Sequence, residues 1–226
     1  MQSEESAFNA ISPVVVALAV AIFGIELILT VSARGILGGG EGVGWRLSAI
    51  EHFAFFGPVL DYMIEIGGFT LKDSARFVTY PFVHFGFIHA LFVIVFVLAL
   101  GKMVSETVSA RAVLMVFFGS SAFGALAYAA ILNDPSPLVG GRTPAYGLIG
   151  AYTFVLWARL GAVGGPQMQA FTLIGFLMGI QLIFSLLFGP RNDWIAEIAG
   201  FLFGFAITPL VAPGGMQHLL ARLRDR

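Results

Sequence analysis

Six long apolar segments constrain the fold of this chain more than any other feature of its sequence. Each covers about 20 residues, the length that a helix needs to cross the hydrocarbon of a bilayer. Because lipid offers the backbone no hydrogen-bond partners, such segments predict membrane-spanning helices. The six predicted spans cover residues 11–33, 77–101, 112–132, 144–160, 171–188 and 194–212.

Composition supports a single membrane domain. The 226 residues are 58% hydrophobic and 11% charged, whereas soluble proteins carry about 25% charged residues. We predict an all-α membrane protein with one domain over residues 1–226. Its first helix at 11–33 is followed by a loop at 34–76, five further helices within 77–212 and a basic tail at 213–226. Since no cleavage-site pattern precedes the first span, we expect that span to be retained.

Charge and cysteine content exclude several functions. A net charge of −1 gives no indication of nucleic acid binding, and a cysteine count of 0 excludes disulfides and thiolate metal sites. His84 and His89 would point about 140° apart on one helix, so we expect no metal site there. The sequence also contains no recognisable cofactor site, and the expected cofactor is none.

The first span and the following loop each carry charged residues whose surroundings matter. Glu26 lies among apolar residues of the first span. It is either a proton or partner site, or a carboxyl group hydrogen-bonded near the membrane surface, and we favour the second interpretation. In the loop, apolar residues recur at helical spacing among charged ones such as Arg46. This pattern predicts one or two short helices in the membrane interface, broken near Pro58. The neighbouring Glu51 and His52 are expected on a solvated or interfacial face.

Glycines at the fourth and sixth spans predict a close helix contact. Residues 140–152 read Gly-Gly-Arg-Thr-Pro-Ala-Tyr-Gly-Leu-Ile-Gly-Ala-Tyr, which places Gly147 and Gly150 near the start of the fourth span. Gly200 and Gly204 repeat at four-residue spacing in the sixth. Small residues let two backbones approach closely, so we expect these two faces to meet.

These segments resemble the rhomboid family. The fourth-helix motif of that family, Gly-x-Ser-Gly-x-x-x-Gly-Leu-x-Gly, aligns with residues 147–150 and puts Arg142 at the nucleophilic serine. The sixth-helix motif, Ala-His-x-x-Gly-x-x-x-Gly, puts Glu197 at the catalytic histidine. The second-helix motif of the family ends in an asparagine, and this chain has Val93 at that position. The residues that match these last two motifs are Arg76, Thr79, His84, His89, Ala196, Gly200 and Gly204.

The resemblance implies a six-transmembrane-helix rhomboid-like bundle with a large, partly helical first loop. It also implies that Arg142, Glu197, His89 and Val93 occupy former active-site positions, with no catalytic residue among them. In active members the second histidine and the asparagine stabilise the oxyanion, and a valine has no donor for that role. Arginine stays protonated and cannot attack a carbonyl group. His84 is expected to pack against the first loop and hydrogen-bond to it.

Arg142 and Glu197 carry opposite charges at positions that touch in rhomboid proteins. Charges at bilayer depth usually pair, so we expect a guanidinium–carboxylate bridge between them. The alternative is that both side chains reach the headgroups separately and never meet.

The resemblance therefore predicts an inactive rhomboid-like protein that binds other integral membrane proteins and assists their assembly, stability or turnover. One alternative is a permanent structural subunit of a larger membrane complex. Another is an intramembrane protease that uses Thr143 as an atypical nucleophile, in an alignment shifted by one residue.

Charge distribution predicts the orientation in the membrane. Six predicted spans place both termini on one side, and that side carries the excess of lysine and arginine, which favours the cytoplasm. With no organelle-targeting signal, we expect a multi-pass protein of the bacterial inner membrane. The residues that carry the bias are Lys102, Arg111, Arg159, Arg222, Arg224 and Arg226, against Arg142 and Arg191 on the opposite side.

Overall fold

The computed structural model describes residues 10–132, 134–188 and 192–212, so the predicted tail at 213–226 lies outside the described residues. Ten α-helices and two 3-10 helices account for most of this part of the chain. The helices are α1 (Pro13–Ser32), α2 (Gly39–Gly42), α3 (Trp45–Phe53), α4 (Gly57–Glu65), α5 (Leu71–Thr79), α6 (Phe87–Thr107), α7 (Ala110–Leu132), α8 (Arg142–Ala162), α9 (Thr172–Phe188) and α10 (Trp194–Val211). The 3-10 helices cover Tyr80–Phe82 and Gln167–Phe171.

The long helices confirm the predicted all-α membrane bundle. Within the described residues, α1, α6, α7 and α10 are long and apolar enough to cross a membrane. Helix α8 has 21 residues but a more polar sequence. It contacts α6, α7 and α10 and is buried among them. Helix α9 is apolar and has 17 residues, and none of its described side chains is fully buried.

The predicted contact between the glycine faces of α8 and α10 is present. A Cβ atom added to Gly204 would collide with the backbone of Gly147, and one added to Gly150 would collide with the carbonyl oxygen of Phe201. A Cβ atom on Gly200 would lie 2.6 Å from the carbonyl oxygen of Thr143. The two backbones therefore touch over two helical turns, with no room for side chains between them.

The second membrane helix begins at Phe87, ten residues later than predicted from the apolar pattern. The predicted span at 77–101 overlooked two breaks. Pro81 has no N–H to continue the helix after α5 and lies in a 3-10 turn. Extended backbone then follows through Val83 (φ −103°, ψ 128°) to Gly86 (φ 174°). The first loop consequently extends to residue 86, and at its other end the helix continues beyond the predicted residue 101 to Thr107.

The first loop is largely helical, as predicted, but its charged residues are not all solvated. Arg46, one of the charged residues in that pattern, lies against Glu26 of α1, with N–O distances of 2.7 Å and 3.0 Å. Thr30 donates a further hydrogen bond to the same carboxylate at 2.7 Å. The side chain of Glu26 is only 1% exposed, so the favoured interpretation of a hydrogen-bonded carboxyl is correct, but its main partner is an arginine of the loop.

Arg76 of α5 forms hydrogen bonds to the backbone at the end of α3 and in the turn between α3 and α4. Its guanidinium donates to the carbonyl oxygens of Ala54 at 2.7 Å and Glu51 at 2.8 Å, and it lies over the ring of Phe56. Pro58 lies in the first turn of α4, where its missing N–H costs nothing, so it starts the second loop helix.

The glycine contact predicts the effect of a single large side chain. Gly200→Leu should lower the free energy of unfolding by roughly 3 kcal/mol or more, at the upper end of overpacking effects, because the obstacle is backbone that cannot move aside. The measurement is thermal unfolding in detergent micelles. Gly24→Leu on α1 is the matched control, since a Cβ atom there meets nothing within 4 Å. Equal stability of both variants would contradict the α8–α10 packing.

Candidate functional site

Three chain segments converge at the N-terminal end of α8. Residues 134–141 lead into this helix, and Phe55 and Leu138 exchange two backbone hydrogen bonds, of 3.2 Å and 2.8 Å. The N–H of Gly140 donates to the carbonyl oxygen of Tyr80 at 3.0 Å. Gly140 has φ +87°, a conformation that favours glycine. The entry to α8 is thus held by the first loop and by the segment before α6.

Arg142 and Glu197 form the predicted ion pair at this end of α8. The Nε atom of Arg142 donates to Glu197 Oε1 at 2.6 Å, and the Nη2 atom of Arg142 donates to the same oxygen. The carboxylate is buried, with 1% of its side chain exposed, whereas 29% of the Arg142 side chain is exposed. Asp193 lies 3.9 Å from the same guanidinium. The pairing expected from the opposite charges is therefore confirmed, and separate snorkelling is excluded.

Gln181 of α9 is a third member of this cluster, which sequence reasoning did not assign to the site. Its Nε2 atom donates to Glu197 Oε2, so both carboxylate oxygens are hydrogen-bonded. Gln181 lies within the apolar run of the fifth predicted span. A polar side chain within an apolar helix was the available signal, but the sequence did not say which neighbour it would face. The cluster joins α8, α9 and α10.

His84 and His89 lie side by side, with ring centroids 5.1 Å apart. The expectation that they diverge was wrong, because His84 precedes the start of α6 and only His89 is on that helix. The backbone N–H of Gly141 donates to His84 Nε2 at 3.2 Å. Burial lowers the pKa of His84 to about 3, so its ring is neutral and Nε2 accepts this bond. No group of three or more histidine or acidic side chains suited to a metal occurs in the described part of the chain.

The predicted contact of His84 with the first loop runs through its backbone. Nη1 of Arg46 donates to the carbonyl oxygen of His84 at 2.6 Å. The imidazole instead faces the Gly140–Gly141 turn, where a Cβ on Gly140 would lie 2.6 Å from His89 Cε1. A Cβ on Gly141 would lie 2.7 Å from a methyl group of Val93. His89 and Val93 therefore line the turn that precedes Arg142, and Val93 brings only methyl groups to it.

Thr143 is buried, with 2% exposed, between α7 and α10. A Cβ added to Gly124 would collide with its γ-methyl group, and one added to Gly200 would lie 3.0 Å from it. Its hydroxyl group is near the phenol of Tyr80, which also donates to the carbonyl oxygen of Ser121 at 3.1 Å. Thr143 thus contributes to the packing of α8 against α7 and α10, on the face of α8 that points into the bundle.

These features define a multi-pass α-helical membrane protein with a charged cluster at the start of its glycine-packed central helix. The sequence pattern of the Rhomboid domain family matches residues 72–214. The chain belongs to the rhomboid family, a family that includes serine proteases. The membership predicted from the three motifs is therefore confirmed.

One curated relative, Rhomboid-like protease 3 of Toxoplasma gondii, is 29% identical over 137 residues. The match covers 59% of this chain and 50% of the relative, so the chain spans about half the length of the curated relative that it matches.

The ion pair predicts non-additive mutations. Arg142→Met should cost about 3–5 kcal/mol, because it leaves the buried carboxylate of Glu197 without its counter-charge. Glu197→Gln should cost less, since Arg142 is partly exposed and remains near Asp193. The double variant should recover part of the loss, which a double-mutant cycle on unfolding in detergent measures.

The pair Lys102–Glu106, whose carboxylate is exposed and whose N–O distance is 3.9 Å, is the matched control for this cycle. Lys102→Met and Glu106→Gln should show a coupling energy below about 1 kcal/mol. If Arg142 and Glu197 couple no more strongly than this control, the pair does not hold the site together.

Proposed function

We propose that this protein is a catalytically inactive rhomboid that binds other integral membrane proteins and assists their assembly, stability or turnover. The observation that carries the proposal is the Arg142–Glu197 ion pair. By the family motifs these are the serine and histidine positions. A serine hydrolase needs a hydroxyl nucleophile and an imidazole base within hydrogen-bond reach of each other. Here the two positions hold a guanidinium and a carboxylate that neutralise each other.

The name of the Toxoplasma relative indicates a protease, so that activity is the main competing function. It would require Thr143 as the nucleophile. Thr143 is 2% exposed and packs its methyl group between helices, which disfavours an attack on a substrate. The base would have to be Glu197, which already accepts hydrogen bonds from Arg142 and Gln181. The apolar side chain of Val93 supplies no donor for an oxyanion.

Activity measurements test the inactive state. We expect no cleavage of membrane-helix substrates in proteoliposomes and no labelling by a serine- and threonine-reactive fluorophosphonate. The variant Thr143→Ala controls for background labelling. Labelling of the wild type that Thr143→Ala abolishes would establish the protease instead.

The same assay applies to Arg142→Ser combined with Glu197→His. We expect this double variant to stay inactive, because Val93 still offers no oxyanion donor and Pro144 follows the nucleophile position closely. Addition of Val93→Asn then tests whether the missing donor is the remaining obstacle.

Partner identification tests the binding role. Purification from native membranes in mild detergent should recover one or more integral membrane proteins, and their steady-state level should change when this protein is deleted. Both the wild type and Thr143→Ala should restore that level, because the proposed role needs no nucleophile. Failure of a normally accumulating Thr143→Ala variant would contradict the proposal. Recovery at fixed stoichiometry under all conditions would favour a permanent subunit.

We also propose that the protein lies in the bacterial inner membrane with both termini in the cytoplasm. Lys102, Arg111 and Arg159 lie near the helix ends opposite the first loop, which agrees with the positive-inside rule. Because the chain has 0 cysteines, single cysteines report orientation cleanly. A membrane-impermeant maleimide should label Ser136→Cys in spheroplasts, and Ser109→Cys only after permeabilisation. The reverse pattern would overturn this orientation.

A further inference from the structure

An apolar groove of about 390 Å³ lies between α1 and the first loop, away from the charged cluster. Ile25, Ile28 and Leu29 of α1 form one wall, and Ala49 and Phe53 of α3 form the other. Ile28 is 50% exposed and Phe53 49%, so they stand at the mouth of the groove. Leu29 is 6% exposed and lies at its floor.

The groove requires an apolar occupant. Thr79 is the only polar side chain among its lining residues, and its hydroxyl already donates to the carbonyl oxygen of Phe53 at 3.1 Å. The nearby charges of Glu26 and Arg46 satisfy each other. Apolar cavities of about 150 Å³ stay dry and accept small hydrocarbons. This larger space falls within the range of about 300–1,000 Å³ that is typical of ligand sites.

The position of the groove along α1 identifies the hydrocarbon that it meets. At about 1.5 Å per residue, Ile25 lies about 10 Å from the end of α1 at Ser32, and Ile28 about 6 Å. Neighbouring side chains of the same helix face outwards, with Phe23 43% and Leu27 44% exposed. On a membrane-spanning helix this exposed surface faces lipid. The mouth therefore opens into the acyl chains just below the headgroups at the first-loop end of the helix.

We propose that this groove binds one acyl chain of a bilayer phospholipid between α1 and α3. The chain enters past Ile28 and Phe53 and reaches Leu29 and Val83. Acyl chains are the apolar groups that surround this mouth at high concentration, and the groove offers no hydrogen bond that would select a polar ligand. A bound chain fills the space beneath the helix that carries Arg46, and thereby supports the position of the first loop against α1.

Photo-crosslinking in vesicles tests this assignment. The full chain is reconstituted into phosphatidylethanolamine–phosphatidylglycerol vesicles that contain a phospholipid with a diazirine in the upper half of one acyl chain. After illumination, peptide mass spectrometry should find lipid adducts at Leu29 and Val83. Val83 is 4% exposed, so bulk lipid reaches neither floor residue. Val97 in the core of α6, at 0% exposure, gives the background.

Filling the groove should remove these adducts. Ala49→Phe places a ring in the groove and should abolish labelling of Leu29 and Val83, while Ala17→Phe on the exposed face of α1 should leave it unchanged. Ile28→Trp, which narrows the mouth, serves the same purpose if Ala49→Phe accumulates poorly.

Labelling of the floor residues no higher than at Val97 would overturn the proposal, as would labelling that persists in the filled variant. A diazirine fatty acid added to unlabelled vesicles distinguishes the source of the chain. Adducts with the fatty acid but not with the phospholipid would overturn the assignment to a bilayer phospholipid.

Discussion

The backbone contact between α8 and α10 determines how the rest of the bundle is arranged. Where Gly147 and Gly204 meet, the two helices lie too close for any side chain to intervene. The first turn of α8 consequently lies beside the first turn of α10, which brings the side chains of Arg142 and Glu197 together. The charged cluster therefore depends on glycines that carry no chemistry of their own.

Burial by protein explains why α8 can be the most polar of the long helices. Its first half is enclosed by α6, α7 and α10, so its polar residues meet protein groups and not lipid. The mean hydropathy of such a helix is too low to identify it as a membrane helix, because the scale treats every position as lipid-facing. Helices α1 and α6, which expose more of their surface, contain more apolar stretches, with mean hydropathies of 2.8 and 2.4.

The sequence alone predicts the parts of this structure that depend on local patterns. Apolar segment length predicts the long helices, and glycine spacing predicts the α8–α10 contact. Long-range geometry is harder to predict. The break between Pro81 and Gly86 has clear local causes. Its consequence, the contact between His84 and His89, depends on the path of the chain after the break and cannot be read from the local pattern. The partner of Glu26 lies twenty positions away on a different helix, and no periodicity connects the two.

The two ion pairs whose carboxylates are buried, Arg46–Glu26 and Arg142–Glu197, follow the same physical arrangement. The carboxylates of Glu26 and Glu197 are 1% exposed, whereas the side chains of Arg46 and Arg142 are 19% and 29% exposed. A glutamate side chain is short and cannot reach water from within a helix bundle, but a long arginine can reach inwards from the membrane surface and leave part of its guanidinium accessible. Each pair thus needs only one fully desolvated charge, which lowers the cost of holding it there.

The two pairs are also connected, because Arg46 bonds to the carbonyl oxygen of His84 and the ring of His84 accepts from Gly141. Gly141 directly precedes Arg142. A displacement of the first loop that pulled Arg46 away from α1 would therefore remove one of the hydrogen bonds that hold the segment before the turn at Gly141. The site at the start of α8 is held by α10 on one side and, through this chain of hydrogen bonds, by α1 on the other.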